Sequence, residues 1–204
     1  MTLFDERPRD IETVRLRWTG CQRCIFSSIH KDTGPCLPSL DIDGKEVMVV
    51  GQWPGEEDMK NGTAFSGPQG RLAVKMVVAA GFTSKSLYLT NVLLCQCPVE
   101  PTKLILANCK ESLDNTLDVV RPKIIIALGA HAVRRFGIRE SLADVHGKVR
   151  TYRSYPVISC IHTASLARAK DDKEKDKLEK LVKADLKAAR ETYLSIKRKE
   201  DARD

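Results

Sequence analysis

The chain has 204 residues, 42% of them apolar and 5% aromatic, which fits one domain with a sizeable core. No apolar run is long enough to span a bilayer, and the opening MTLFDERPRD is too charged for a secretory leader, so a reducing, cytoplasmic setting is expected. The net charge of +7 permits a polyanionic partner, and since residues 170–204 hold 12 Lys/Arg against 10 Asp/Glu, most of the excess lies outside that segment.

In chain order, residues 45–51 read as a strand ending at Gly51. Residues 70–80 read as a helix closed by Gly81. SLYLTNVLL, 86–94, is a second strand. Leu104, Leu106, Cys109, Leu113 and Leu117 recur at broadly helical spacing over 103–119, and Arg121-Pro122 ends that helix. KIIIALG, 123–129, is an almost continuous apolar run of the kind found in a central parallel strand. A short helix over 130–137 and a fourth strand, YPVISCIH at 155–162, follow. Residues 170–198 form a charged helix with Leu178, Leu181, Val182, Leu186, Ala189, Tyr193 and Ile196 near one stripe, a packing face. The expected fold is α/β, a small four-stranded parallel sheet with helices on both faces, in one domain spanning 1–204.

The residues with chemical potential follow strand C-termini, at 51–58, 91–95 and 162–168, the edge where open α/β sheets carry their sites. GQWPGEEDMKNGTAFSG, beginning at Gly51, is Gly-rich but matches neither a P-loop nor a dinucleotide fingerprint, so no nucleotide cofactor is expected. Seven cysteines in a reducing compartment suggest metal ligands and buried thiols rather than disulfides. Cys21 and Cys24 form a C-x2-C pair. Cys95 and Cys109 lie far downstream, with Cys97 as a rival to Cys95. Four thiolates can hold zinc or an iron–sulfur cluster, and spacing alone does not choose.

These pieces, in this order, resemble the uracil-DNA glycosylase superfamily, most of all its iron–sulfur-containing family 4, over about Cys21 to Arg168. GQWPGEEDMKNGTAFSGPQGRL resembles the first motif and the loop carrying a ring that stacks on the base. LTNVLLCQCP resembles the Asn-bearing strand and third cluster cysteine, RPKIIIALGAHAVRRF the core strand and following helix, and HTASLAR the last motif. The resemblance implies a uracil-DNA glycosylase-like fold, stapled over 21–168 by a [4Fe–4S] cluster on Cys21, Cys24, Cys95 and Cys109, with Cys36 and Cys160 as bystanders. It implies an enzyme that hydrolyses the N-glycosidic bond of a base flipped out of DNA, uracil first; nothing in the sequence suggests an obligate oligomer, so a monomer is expected.

Carried over residue by residue, Phe65 would stack on the base and Asn91 would read its edge with an amide that both donates and accepts. His162 would donate to the departing base. Asp58, one carbon shorter than the Glu expected, would orient the water. Gln52 would help bind that water, and Gly51 and Gly55 would allow close backbone approach. Ser165 and Arg168 would grip phosphates, Leu166 would fill the vacated stack, and Lys148, Arg150 and Arg153 are further phosphate candidates. The chain also departs from the family pattern. Trp53 is a large ring at a usually small position, and HTASLAR lacks the usual Pro. Those changes raise two alternatives: a glycosylase for a C5-modified cytosine, hydroxymethylated or glucosylated, in defence against modified DNA; or an inactive iron–sulfur DNA-binding module.

Overall fold

A computed structural model describes residues 8–203. The charged opening read above as unlike a leader begins in residues 1–7, which with residue 204 lie outside the described residues. The elements in order are α1 (Ile11–Trp18), α2 (Ile25–Ile29), β1 (Val47–Gly51), α3 (Glu56–Asn61), α4 (Pro68–Ala79), β2 (Leu87–Asn91), α5 (Lys103–Val120), β3 (Ile124–Leu128), α6 (Ala130–Arg135), α7 (Leu142–Val145), β4 (Val149–Tyr152), β5 (Tyr155–Cys160), α8 (Ala164–Ala167) and α9 (Asp172–Asp201).

The sheet order is β2-β1-β3-β5-β4. The first four are parallel, with Val49 facing Leu89 and Ile126, and Ile126 facing Ile158. β4 is the correction to the expected four strands: it adds an antiparallel edge, Val149 opposite Ile158 and Tyr152 opposite Tyr155. Arg153 takes a left-handed conformation, φ 51°, in the turn between them. The strand escaped detection because VRTY is largely exposed and carries no apolar alternation.

Period-two alternation divides the central strands between two cores. Met48, Val50, Tyr88, Ile125, Ala127 and Val157 face the layer that includes Leu113 and Leu117 of α5 and Val133 of α6. Val47, Val49, Ile124, Ile126, Leu128 and Ile158 face Val77 of α4 and Val182, Leu186 and Ala189 of α9. Helices therefore cover both faces, and apolar side chains buried on each side explain the continuous runs in β1 and β3.

Caps set the helix ends. Thr102 accepts from Ile105 N at 3.3 Å to start α5, which stops at Arg121 in a left-handed conformation just before Pro122. Asp171 accepts from Glu174 N at 2.7 Å and starts α9, which runs through Asp201, beyond the expected end at 198. Ahead of the sheet, Ile11, Val14 and Trp18 of α1 pack on Leu94, bringing the chain that carries Cys21 and Cys24 to the segment after β2. Among the described residues no helix is long and apolar enough to cross a membrane.

Candidate active site

β1, β2, β3 and β5 end at one edge of the sheet, and the order reverses between β1 and β3. A cleft opens there, at the switch point of the topology. It has a volume of about 390 Å³, and its walls include Gln52, Trp53, Asp58, Phe65, Asn91 and His162. Gly55 and Arg168 also line it. Of the residues expected to act on a base, all but Gly51 border the space directly.

Gly51 lies beneath it. It pairs with Asn91 across the β1–β2 ladder, and a Cβ there would stand 2.4 Å from Asn91 Oδ1 and 3.1 Å from Phe65 Cζ. A hydrogen at this position lets the amide and the ring approach one another. Asn91 is buried, yet no hydrogen bond occupies its side-chain amide among the described residues. A buried amide facing a cleft without an internal partner is suited to a polar ligand.

Phe65 holds a left-handed backbone, φ 62°, which is uncommon for an aromatic residue. Gly70 makes it possible: a Cβ at 70 would lie 2.3 Å from Phe65 Cα. Of the three non-glycine residues with positive φ among the described residues, Phe65 is the one whose ring lines the cleft, the pattern expected where a site over-determines its backbone.

The HTASLAR segment turns sharply after β5. Ala164 N donates to His162 Nδ1 at 3.0 Å. A nitrogen that accepts a hydrogen bond carries no proton, so the neutral ring bears its hydrogen on Nε2. Burial, and secondarily the Arg168 guanidinium, pull the His162 pKa down to about 4, in agreement with that neutral form. The sequence left the ring's charge undecided; the turn decides it. Gly129, at φ 87°, lets the ring in, because a Cβ there would lie 3.1 Å from His162 Cβ and 3.5 Å from Gln52 Nε2.

Asp58 borders the cleft, but not as a free carboxylate. Its Oδ1 accepts from Ser66 N at 2.7 Å, Ser66 Oγ at 3.0 Å and Gly67 N at 2.9 Å, and its Oδ2 accepts from Gly55 N at 3.1 Å. It clasps the start of α3 to the start of α4 and fixes the loop that carries Phe65. Oδ1 is fully used, and only Oδ2 has acceptor capacity left for the expected role of orienting a water.

Leu166 is corrected. It lies on α8 and is itself buried, so it is not presented to DNA in this arrangement. Ser165 is half-buried and Arg168 exposed at the cleft mouth. Arg150 is paired with Glu140, and Arg153 with Asp114 and Asp118, so the β4 hairpin neutralises two of its own three candidate phosphate contacts; Lys148 is exposed. Trp53 lines the cleft while packing on His131, ring centroids 5.5 Å apart.

Two residues had no sequence signal strong enough to find them. Gly129 sits in an ordinary strand-to-helix turn. Asp185 looks like one more charge on α9, yet it is buried, receiving Ile161 N at 3.0 Å and lying 2.7 Å from His146 Nδ1. It anchors the residue immediately before His162.

The cysteine-bearing segments meet on the α5 side. Cys95, Cys97 and Cys109 are buried with Cys24 packed against them, and Cys21 packs beside Trp18 and Leu94. Among the described residues no three His, Cys, Asp or Glu side chains already stand in a metal-holding arrangement. The donor set nevertheless fits an iron–sulfur cluster. Burial, then the nearby Cys109, Cys24, Cys21 and Cys97 sulfurs, push the Cys95 thiol up to about 12. Burial, then Cys109, Cys24 and Glu100, likewise push Cys97 up to about 12. A buried group of thiols suppresses ionisation unless a cation compensates the thiolates. Cys36 and Cys160 are buried elsewhere, Cys160 wholly within the α4/α9 core.

A family model described as the uracil DNA glycosylase superfamily matches residues 38–187. The chain is 30% identical over 175 residues to the type-4 uracil-DNA glycosylase of Thermotoga maritima, covering 83% of this chain and 88% of that protein. It is 29% identical over 158 residues to the type-4 uracil-DNA glycosylase of Archaeoglobus fulgidus, covering 72% and 78%. To the Sulfurisphaera tokodaii protein of the same description it is 26% identical over 200 residues, covering 92% and 87%.

Proposed function

This chain belongs to the uracil DNA glycosylase superfamily, and from that premise we propose that it is a DNA glycosylase that hydrolyses the N-glycosidic bond of uracil flipped out of DNA. One observation carries the reading: a strained aromatic ring, an unoccupied buried amide and a neutral histidine with its hydrogen on Nε2 border the same cleft.

The Phe65 ring stacks on the everted base, and the Asn91 amide pairs with the O4 and N3–H edge. As the C1′–N1 bond breaks, the sugar gains positive charge and the base leaves as an anion with charge on O2. His162 Nε2–H donates to that oxygen, and its hydrogen bond strengthens as the charge grows. A neutral donor serves without transferring its proton. Water oxygen bonds to C1′, and the proton it loses balances the anionic base. Gln52 and the open side of Asp58 Oδ2 orient that water. Gly55 lets the backbone come close, Arg168 and Ser165 hold phosphate beside the cleft, and Leu166 supports their turn from beneath.

Cys21, Cys24, Cys95 and Cys109 are assigned to a [4Fe–4S] cluster, which when bound supplies a cross-link between the N-terminal arm and the start of α5. Cys95 is preferred to Cys97 because it takes the family position directly after the TNVLL strand.

Base release from oligonucleotides carrying uracil, thymine or 5-hydroxymethylcytosine tests this reading, with abasic sites read by alkaline cleavage. Uracil release that His162→Ala slows by about 10²- to 10³-fold is expected. Release of the modified cytosine alone would make Trp53 a specificity residue, and silence on every base with DNA binding intact would establish a binding module.

A further inference from the structure

Trp53, which lines the cleft, packs on His131, which lines a second groove of about 420 Å³ between the start of α5 and α6. Lys103, Lys110 and Arg134 border it, and all three are exposed. Among the described residues none of these cations has an ion-pair partner. Of the neighbouring groups, Glu100 Oε1 lies 2.7 Å from His131 Nε2, and Arg135 is held by Asp114 at 2.7 Å. The contrast with the β4 hairpin is informative, since Arg150 and Arg153 there are paired with carboxylates. Lys103 and Lys110 are seven residues apart on α5, hence on one face and roughly 10 Å apart along the axis.

Unpaired cations along a groove that one ring contact separates from the cleft attract a chain of phosphates, with counterion release as the driving force. We propose that the DNA strand carrying the target nucleotide runs from the cleft over the Trp53–His131 ridge into this groove, where Lys103, Lys110 and Arg134 hold its phosphates. This rests on the glycosylase reading for the identity of the polyanion. The groove holds the backbone and reads no base, so its contribution is independent of sequence.

The test is the salt dependence of binding to a single-stranded and a duplex oligonucleotide, each bearing an uncleavable abasic analogue. Full-length protein is compared with the Lys103→Ala/Lys110→Ala/Arg134→Ala variant. The slope of log affinity against log salt falls by roughly 2 to 3 in the variant. Lys103→Arg/Lys110→Arg, which keeps the charges, retains the wild-type slope, and Arg150→Ala leaves it nearly unchanged. Circular dichroism confirms that each variant is folded. An unchanged slope in the folded triple variant overturns the groove assignment, as does a wild-type protein that binds neither oligonucleotide. Failure of the wild type to release any base, with its binding and the slope change intact, counts against the glycosylase reading alone.

Discussion

Gly51 and Asn91 end neighbouring parallel strands in register, and the space a Cβ at 51 would need is already taken by the Asn91 amide oxygen, 2.4 Å away. Gly51→Ala therefore displaces the amide or opens the β1–β2 ends. Because misplacement by about 1 Å can cost on the order of 100-fold in rate, single-turnover uracil release should fall by about that factor. The melting temperature should drop by only a few degrees. A variant with wild-type turnover would remove Asn91 from the proposed base-reading role.

His162 gives a pH signature. Its folded pKa of about 4 lies below the ordinary 6.5, so the fold favours the neutral ring. The resulting stability is fully present above pH 6.5 and is lost as pH falls from there through about 4. Neutral-His162 chemistry should persist to mildly acidic pH, with a fall in rate near 4 rather than an inflection near 6.5. His162→Ala should reduce the rate by about 10²- to 10³-fold, the scale of losing one donor to a developing anion. An NMR titration of the ring with a midpoint near its ordinary value would contradict the buried, backbone-bonded form.

Asp58 links stability to activity. Removing a carboxylate that accepts from Gly55, Ser66 and Gly67 leaves buried donors unmatched, and hydrogen bonds to charged groups are worth about 1.5–3 kcal/mol each. Asp58→Asn should lower the melting temperature and the rate together, because the loop carrying Phe65 loosens. A lower rate with unchanged stability would instead identify a carboxylate used chiefly on the water.

Asp185 acts on His162 through the backbone. Asp185→Asn exchanges a charged acceptor for a neutral one at Ile161 N and the His146 ring. Destabilisation of about 1–3 kcal/mol in denaturant titrations is expected. A reduced kcat with little change in KM should accompany it, since the shift reaches His162 rather than the DNA groove. Unchanged kcat would limit Asp185 to a structural role.

The cysteines can be separated one by one. Cys24→Ser and Cys109→Ser should lose iron and visible absorbance and melt earlier, because the proposed cluster would join α1 and its following loop to α5. Cys95→Ser should do the same while Cys97→Ser retains iron. The reverse pattern would move the third ligand to Cys97. Cys36→Ser and Cys160→Ser should leave the iron content unchanged.

The legible parts of this protein are those where local chemistry and tertiary role agree. Apolar runs in β1, β3 and β5 identify buried strands, and the stripe on α9 buries Val182, Leu186, Ala189 and Tyr193 as its spacing indicates. β4 was hidden because an exposed edge strand has no face to bury. Asp185 was hidden because a buried carboxylate and a solvated one look alike among the charges of α9. Asp58 borders the cleft, but its four hydrogen bonds come from residues three, eight and nine positions away, contacts that motif order does not reveal.

By itself the sequence determined the α/β class, the strand-end location of the chemistry, the cysteine candidates and the family resemblance, because periodicity and motif order are properties of the chain. The tertiary structure alone decided that His162 is neutral with its hydrogen on Nε2, that Asp58 is a clasp, that Leu166 is covered, and that Lys103, Lys110 and Arg134 rather than the hairpin arginines are left with unmatched charge. Each depends on which donors, acceptors and counter-charges the fold brings within a few ångströms, distances that no spacing along the chain specifies.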